Sequence, residues 1–126
     1  MRYALLRFFA VLLLVAPVLA AELEVVDGDT FRLGQVTIRI ENIDAPETRD
    51  AKCAAERLLG EQAKRRLEQL LFSGELTLTR NPDDGRDADR YGRKLRRVAV
   101  DGADAGEALV AEGLARRWDG RRHRWC

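Results

Sequence analysis

Between residues 23 and 79 the spacing of apolar side chains changes twice, and that switch limits the folds open to the chain. Leu23 and Val25 alternate with Glu22 and Glu24, and Val36, Ile38 and Ile40 alternate with Thr37, Arg39 and Glu41. A period of two sends neighbours to opposite faces, the signature of half-buried strands. From about Ala54 to Phe72, Leu58, Leu59, Ala63, Leu67, Leu70 and Leu71 fall at helical spacing, with Glu61, Lys64, Arg65, Glu68 and Gln69 between them. Leu76 and Leu78 then restore alternation. A chain that changes period in this way must pack a helix against a sheet.

Turn chemistry divides the strands. Asp27-Gly28 separates the first strand from Thr30 to Leu33 and predicts a hairpin, and Gly34-Gln35 precedes the third strand. Pro46 disfavours helix at Ala45 and keeps residues 44–47 extended or turned. Gly60 marks a break in the helix or its true start, and Ser73-Gly74 stops it. Residues 81–89 form a polar loop with Pro82 and Gly85. A fifth strand follows from about Lys94 to Val100, with Leu95 and Val98 out of phase, for which a bulge is the expected cause. Asp101-Gly102 leads into a short helix, Ala105 to Glu112, capped by Gly113. The order is three strands, a helix, two strands and a short helix, which predicts an α+β domain on a five-stranded barrel.

The start of the chain reads as an export leader. Arg2 and Arg7 supply positive charge, Phe8 to Ala16 an apolar run, and Val18-Leu19-Ala20 a small-residue cleavage site, so residues 1–20 are assigned to a signal peptide and 21–126 to one domain. An uncleaved anchor is the competing reading, but the run falls short of the ~20 residues a bilayer needs and ends at Pro17. The expected location is extracytoplasmic, secreted or periplasmic, with no membrane attachment after cleavage. The remaining 106 residues suffice for one core, expected as a monomer, and carry 20 basic against 21 acidic side chains. That balance argues against a polycation that coats nucleic acid. Only the tail is strongly basic, with Arg116, Arg117, Arg121, Arg122 and Arg124; it reads first as a solvated run and second as a guide for a polyanion. Two cysteines, Cys53 and Cys126, in an exported chain suggest one disulfide that pins the C-terminus beside the segment after Glu47. Closing so long a loop contributes roughly 4 kcal/mol in the chain-entropy account.

Chemistry concentrates in two runs, Val26-Asp27-Gly28-Asp29-Thr30 and Arg39-Ile40-Glu41-Asn42-Ile43-Asp44-Ala45-Pro46-Glu47, joined later by Asp89-Arg90-Tyr91-Gly92-Arg93. Singly, each passes as a turn or a solvated loop. Together they place carboxylates at two strand-associated turns and Arg39 on the polar face of the strand between. Four converging carboxylates, Asp27, Asp29, Asp44 and Glu47, repel one another; Arg39 and Arg93 would offset half that charge and a divalent cation the rest. Oxygen donors without a His or Cys cluster favour a hard ion, Ca²⁺ first and Mg²⁺ second. Metal-assisted phosphodiester hydrolysis needs an activated water and stabilised phosphoryl oxygens, for which a glutamate, a metal and two planar guanidinium forks are suitable parts.

These runs, followed by Glu107-Ala108-Leu109-Val110-Ala111-Glu112-Gly113-Leu114-Ala115, resemble in order the signature blocks of the staphylococcal nuclease (thermonuclease) family. The resemblance implies an OB-fold barrel and a calcium-dependent nuclease that hydrolyses DNA and RNA and leaves 3′-phosphate ends. It implies calcium ligation by the Asp29 and Asp44 carboxylates and the Ala45 carbonyl, with Asp27 close behind. Glu47 would be the general base, Arg39 and Arg93 would clamp the scissile phosphate, and Tyr91 would lie near a terminal phosphate. The chain departs from the family in having Arg116-Arg117-Trp118-Asp119 where tyrosines often follow the Gly-Leu-Ala segment, and in lacking a long terminal helix. Trp118 is expected to be buried or structural, with base stacking as the other reading, and His123, between two arginines near the terminus, is expected to be exposed and is given no role. The competing functional reading is a non-catalytic OB-fold module that binds single-stranded nucleic acid. A purely structural secreted domain ranks last because it leaves the clustered acids and arginines without a purpose.

Overall fold

A computed structural model describes residues 22–81, 83 and 85–126. The expected leader, residues 1–20, lies outside them, as does Pro82 of the polar loop. The elements are β1 (Leu23–Asp27), β2 (Thr30–Leu33), β3 (Val36–Ile40), β4 (Ile43–Asp44), α1 (Ala54–Leu71), β5 (Leu76–Thr79), β6 (Lys94–Val100), β7 (Ala103–Asp104), α2 (Ala105–Ala111) and β8 (Arg116–Arg117). The main sheet runs β1-β2-β3-β6-β5, with β7 on β6, and ends at β1 and β5 with no ladder between them among the described residues. It is therefore an open barrel of five principal strands. No described helix is long and apolar enough to cross a membrane.

β1, β2 and β3 form the antiparallel meander that the two turns predict. β3 then pairs in parallel with β6, Arg39 opposite Leu95, and the crossover between them carries α1. Parallel neighbours need such a long connection. Phe31, Ile38, Ile40, Ile43, Leu67, Leu71, Val98 and Leu109 fill the core. Gly60 does not interrupt α1, whose inward stripe is Glu56, Gly60, Ala63, Leu67 and Leu71. Leu58 lies off that stripe and is exposed, as is Val36 at the start of β3.

The phase change in β6 has a different cause from the expected bulge. Its pairing with β5 is unbroken from Leu76↔Val100 to Thr79↔Arg97, and the one register shift in the β1–β2 ladder falls between Val25 and Asp27. Val98 and Val100 face the core, whereas Leu95 is buried on the opposite face, in a cleft it shares with Arg39 and Arg97. β4 and β8 form a small second ladder, Asp44 opposite Arg116, that draws the chain after α2 alongside residues 43–44.

Candidate active site

The irregularity in β1 begins the site. Asp27 Oδ1 accepts a hydrogen bond from the Asp29 N–H at 3.2 Å, which turns the hairpin tightly. Gly28 is required by proximity: a Cβ there would stand 2.7 Å from the Ala63 Cβ and 2.8 Å from that of Ala45. The hairpin thus seats against both α1 and the 44–47 segment. Asp29 is buried, and its carboxylate accepts from the Thr30 hydroxyl at 2.9 Å and the Ala45 N–H at 2.9 Å.

Arg39 crosses from β3 to the same place. Its Nη1 donates to the carbonyls of Ile40 and Ile43, the latter at 2.8 Å, and its Nη2 stands 3.4 Å from Asp29 Oδ2 and 3.6 Å from Asp44 Oδ1. One guanidinium therefore ties the β3–β4 turn to both carboxylates. Asp44 Oδ1 is buried and accepts no hydrogen bond.

Glu47 is held by α1 from two sides. Buried Glu56 accepts from the Glu47 N–H at 3.1 Å and from the Lys52 N–H at 2.9 Å. Gly60 lies against the Glu47 carbonyl so closely that a Cβ would overlap it. Burial pushes the Glu56 carboxyl up, but the backbone donors of Lys52 and Glu47, together with the Lys52 and Arg122 charges, outweigh it and hold the group below the usual glutamate value.

Across the cleft, residues 89–93 make a turn organised by Asp89. Its carboxylate accepts from the backbone N–H groups of Tyr91 and Arg93, each at 3.0 Å, and from Arg93 Nε at 2.6 Å. Gly92 adopts φ +80°, which glycine adopts without strain. The guanidinium groups of Arg90 and Arg93 lie 4.9 and 5.4 Å from the centroid of the exposed Tyr91 ring.

The C-terminal segment adds Trp118 and Arg122 to the lining of the cleft. The Trp118 N–H donates to the Asn42 carbonyl at 2.9 Å, and Cys126 is bonded to Cys53, the N-cap of α1, with 6.1 Å between their Cα atoms. Arg122, between these anchors, bonds Glu47 Oε1 through Nη2 and places Nε 3.6 Å from Asp44 Oδ1. The five tail arginines are exposed, as a solvated run would be, but several are partnered. Arg117 pairs with Glu107 at 2.7 Å and Arg116 lies over the Trp125 ring at 4.1 Å. Trp118, expected to be buried or structural, is pinned by its backbone, yet the residue is 40% exposed and lines the cleft. His123, expected to be exposed, is half-buried instead, because its Nε2 lies 2.7 Å from Asp119 Oδ2.

One cleft of about 830 Å³ gathers Asp27, Asp29, Arg39, Glu47, Tyr91 and Arg93. Asp44 and Ala45 line an adjoining cavity of about 500 Å³ that also contains Glu47 and Arg122. Burial, with Asp29 beside it, pushes Asp27 up to about 8. Burial and Asp29 likewise raise Asp44, against the pull of Arg122 and Arg39. Among the described residues no three carboxylate, imidazole or thiolate groups form a ready-made metal cage. The donor chemistry nevertheless fits a hard cation: two buried carboxylates approach a common guanidinium, and Asp44 Oδ1 lacks a hydrogen-bond donor.

Charge compensation differs from the expected pairing. Arg93 shares the cleft but is held by Asp89, and the second cation touching the carboxylates is Arg122. Sequence reading also passed over Glu56. Its spacing placed it on α1, but the only local signal, a glutamate on the helix's inward stripe, becomes visible once Gly60 is known to continue the helix.

A five-strand path with a helical crossover and a polar cleft on the outer face of its third strand defines an OB-fold domain. The family described as staphylococcal nuclease homologue matches residues 37–124, and the chain belongs to that family. It is 43% identical over 95 residues to the SPbeta prophage-derived endonuclease YokF of Bacillus subtilis (strain 168), across 72% of this chain and 31% of that protein. It is 39% identical over 95 residues to endonuclease YncB of the same organism, across 72% of this chain and 44% of that protein. It is also 33% identical over 141 aligned positions to protein ParB of Escherichia coli, across 96% of this chain and 72% of ParB. The chain spans less than half the length of the two Bacillus relatives.

Proposed function

We propose that the protein is an exported, calcium-dependent nuclease that hydrolyses phosphodiester bonds of DNA and RNA and leaves 3′-phosphate ends. The observation that supports this most is the approach of Arg39, in a cleft it shares with Asp29, Glu47 and Arg93, to both Asp29 and the adjoining Asp44. Family membership and the two endonuclease relatives support the nuclease part of this reading.

In this reading Glu47 takes the proton of the attacking water, and its backbone, fixed by Glu56 and Gly60, sets where that carboxylate can reach. Arg39 and Arg93 donate to the non-bridging oxygens, whose charge grows as water adds at phosphorus and the bond to the 5′ oxygen breaks. Arg39 is preorganised by the Ile40 and Ile43 carbonyls, Arg93 by Asp89. Asp29, Asp44 and the Ala45 carbonyl would hold Ca²⁺, with Asp27 behind Asp29; the ion would supply Lewis-acid stabilisation of the phosphoryl charge. Tyr91, exposed beside Arg93, would contact a terminal phosphate.

The test is digestion of single-stranded DNA and RNA with calcium and then with a chelator, followed by end analysis of the products. Cleavage in calcium with 3′-phosphate ends is expected. Binding without cleavage in calcium would instead identify a non-catalytic nucleic-acid-binding module.

A further inference from the structure

Buried carboxylates gathered in one place need positive charge nearby. Arg39 supplies part of it, while Arg93 is taken up by Asp89 at 2.6 Å. The tail supplies the remainder: the Arg122 guanidinium bonds Glu47 and stands 3.6 Å from Asp44 Oδ1, an atom that accepts no hydrogen bond.

This placement follows from the tethers. β8 pairs with β4, the Trp118 N–H is fixed to the Asn42 carbonyl, and Cys126 is bonded to Cys53. Arg122 sits in the short span between the last two anchors. A group confined so near its partner acts at a high effective concentration, and its ion pair costs little further chain entropy. Its side chain remains 59% exposed, so the guanidinium can leave Asp44 for solvent with every anchor intact.

We propose that Arg122 is a built-in counter-cation for Asp44 and Glu47, and that it sets the site's affinity for a divalent ion by competing with that ion for the Asp44 carboxylate. The inference rests on the metal and general-base reading given above. The form of the protein that accepts the ion is the one in which Arg122 has withdrawn, so apparent affinity is lowered by the fraction of molecules in that form.

Calorimetric titration of the full protein with calcium chloride, at fixed ionic strength after chelator treatment, tests the competition. Arg122→Gln should bind calcium about fivefold more tightly than wild type. Arg124→Gln, which removes the same charge from the same tail, should stay within about twofold of wild type on the same scale. In chelator, a double-mutant cycle of Arg122→Gln with Glu47→Gln, read by thermal unfolding, should show coupling that disappears in saturating calcium. Equal calcium affinity in the Arg122 and Arg124 variants would overturn this inference alone. Failure of every form, wild type included, to bind calcium would refute the metal reading and this inference with it.

Discussion

The Glu56 carboxylate accepts a hydrogen bond from the backbone N–H of Glu47 at 3.1 Å, so a buried acid on α1 fixes the backbone of the residue proposed as general base. The folded chain holds Glu56 below its ordinary value of 4.5. Its stabilisation is therefore complete above that value and is lost as pH falls through the lower folded-state value. Glu56→Gln should be about 1–3 kcal/mol less stable at neutral pH, and the gap should close in acid. Urea unfolding at neutral and acidic pH measures both ends of the effect.

Gly60→Ala should harm a helix that alanine ordinarily strengthens. The added Cβ overlaps the Glu47 carbonyl, which is backbone and cannot rotate away. A loss of about 1–3 kcal/mol is expected, with a fall in turnover from displacement of Glu47. Thermal unfolding and steady-state cleavage rates report the two effects separately.

The two arginines proposed to clamp the phosphate should separate stability from chemistry. Arg39 is 8% exposed and donates to two carbonyls of the β3–β4 turn, whereas Arg93 sits on a more open turn. Both Arg39→Lys and Arg93→Lys should lower turnover by about 10²-fold. Only Arg39→Lys should also lower stability, by roughly 2 kcal/mol, because lysine cannot reproduce the fork. Denaturation midpoints beside kcat values distinguish these outcomes.

Reduction of Cys53–Cys126 releases a loop with a sequence separation of 73 residues and should cost about 4 kcal/mol. Non-reducing electrophoresis should show the bond, and chemical denaturation with and without reductant should give the difference.

Glu47→Gln should fold as wild type does in saturating calcium yet lose about 10²-fold in turnover. Circular dichroism and cleavage assays on one preparation decide this.

The chain's local chemistry made much of the fold readable. Alternation in Val36, Ile38 and Ile40, the Asp27-Gly28 turn, the stop at Ser73-Gly74 and the cap at Gly113 depend on neighbours within a few residues, so the elements fall close to where the pattern places them. Leu58 and Leu95 misled for the same reason: hydrophobicity along a segment does not say which neighbour covers it. Leu58 found none, and Leu95 packed into the polar cleft.

By itself the sequence determined the α+β order, the carboxylate-rich turns and the presence of Arg39, Glu47 and Arg93, because each is encoded in short-range spacing and turn preference. Only the tertiary structure decided which cation meets which acid. Pairing of β4 with β8 and the 53–126 bond bring Arg122 to Glu47 across 75 positions of chain, while Asp89 captures Arg93. The two cysteines foretold the 53–126 tether. Which acid each cation meets follows distance in space and competition among burial and backbone donors, which residue spacing alone does not reveal.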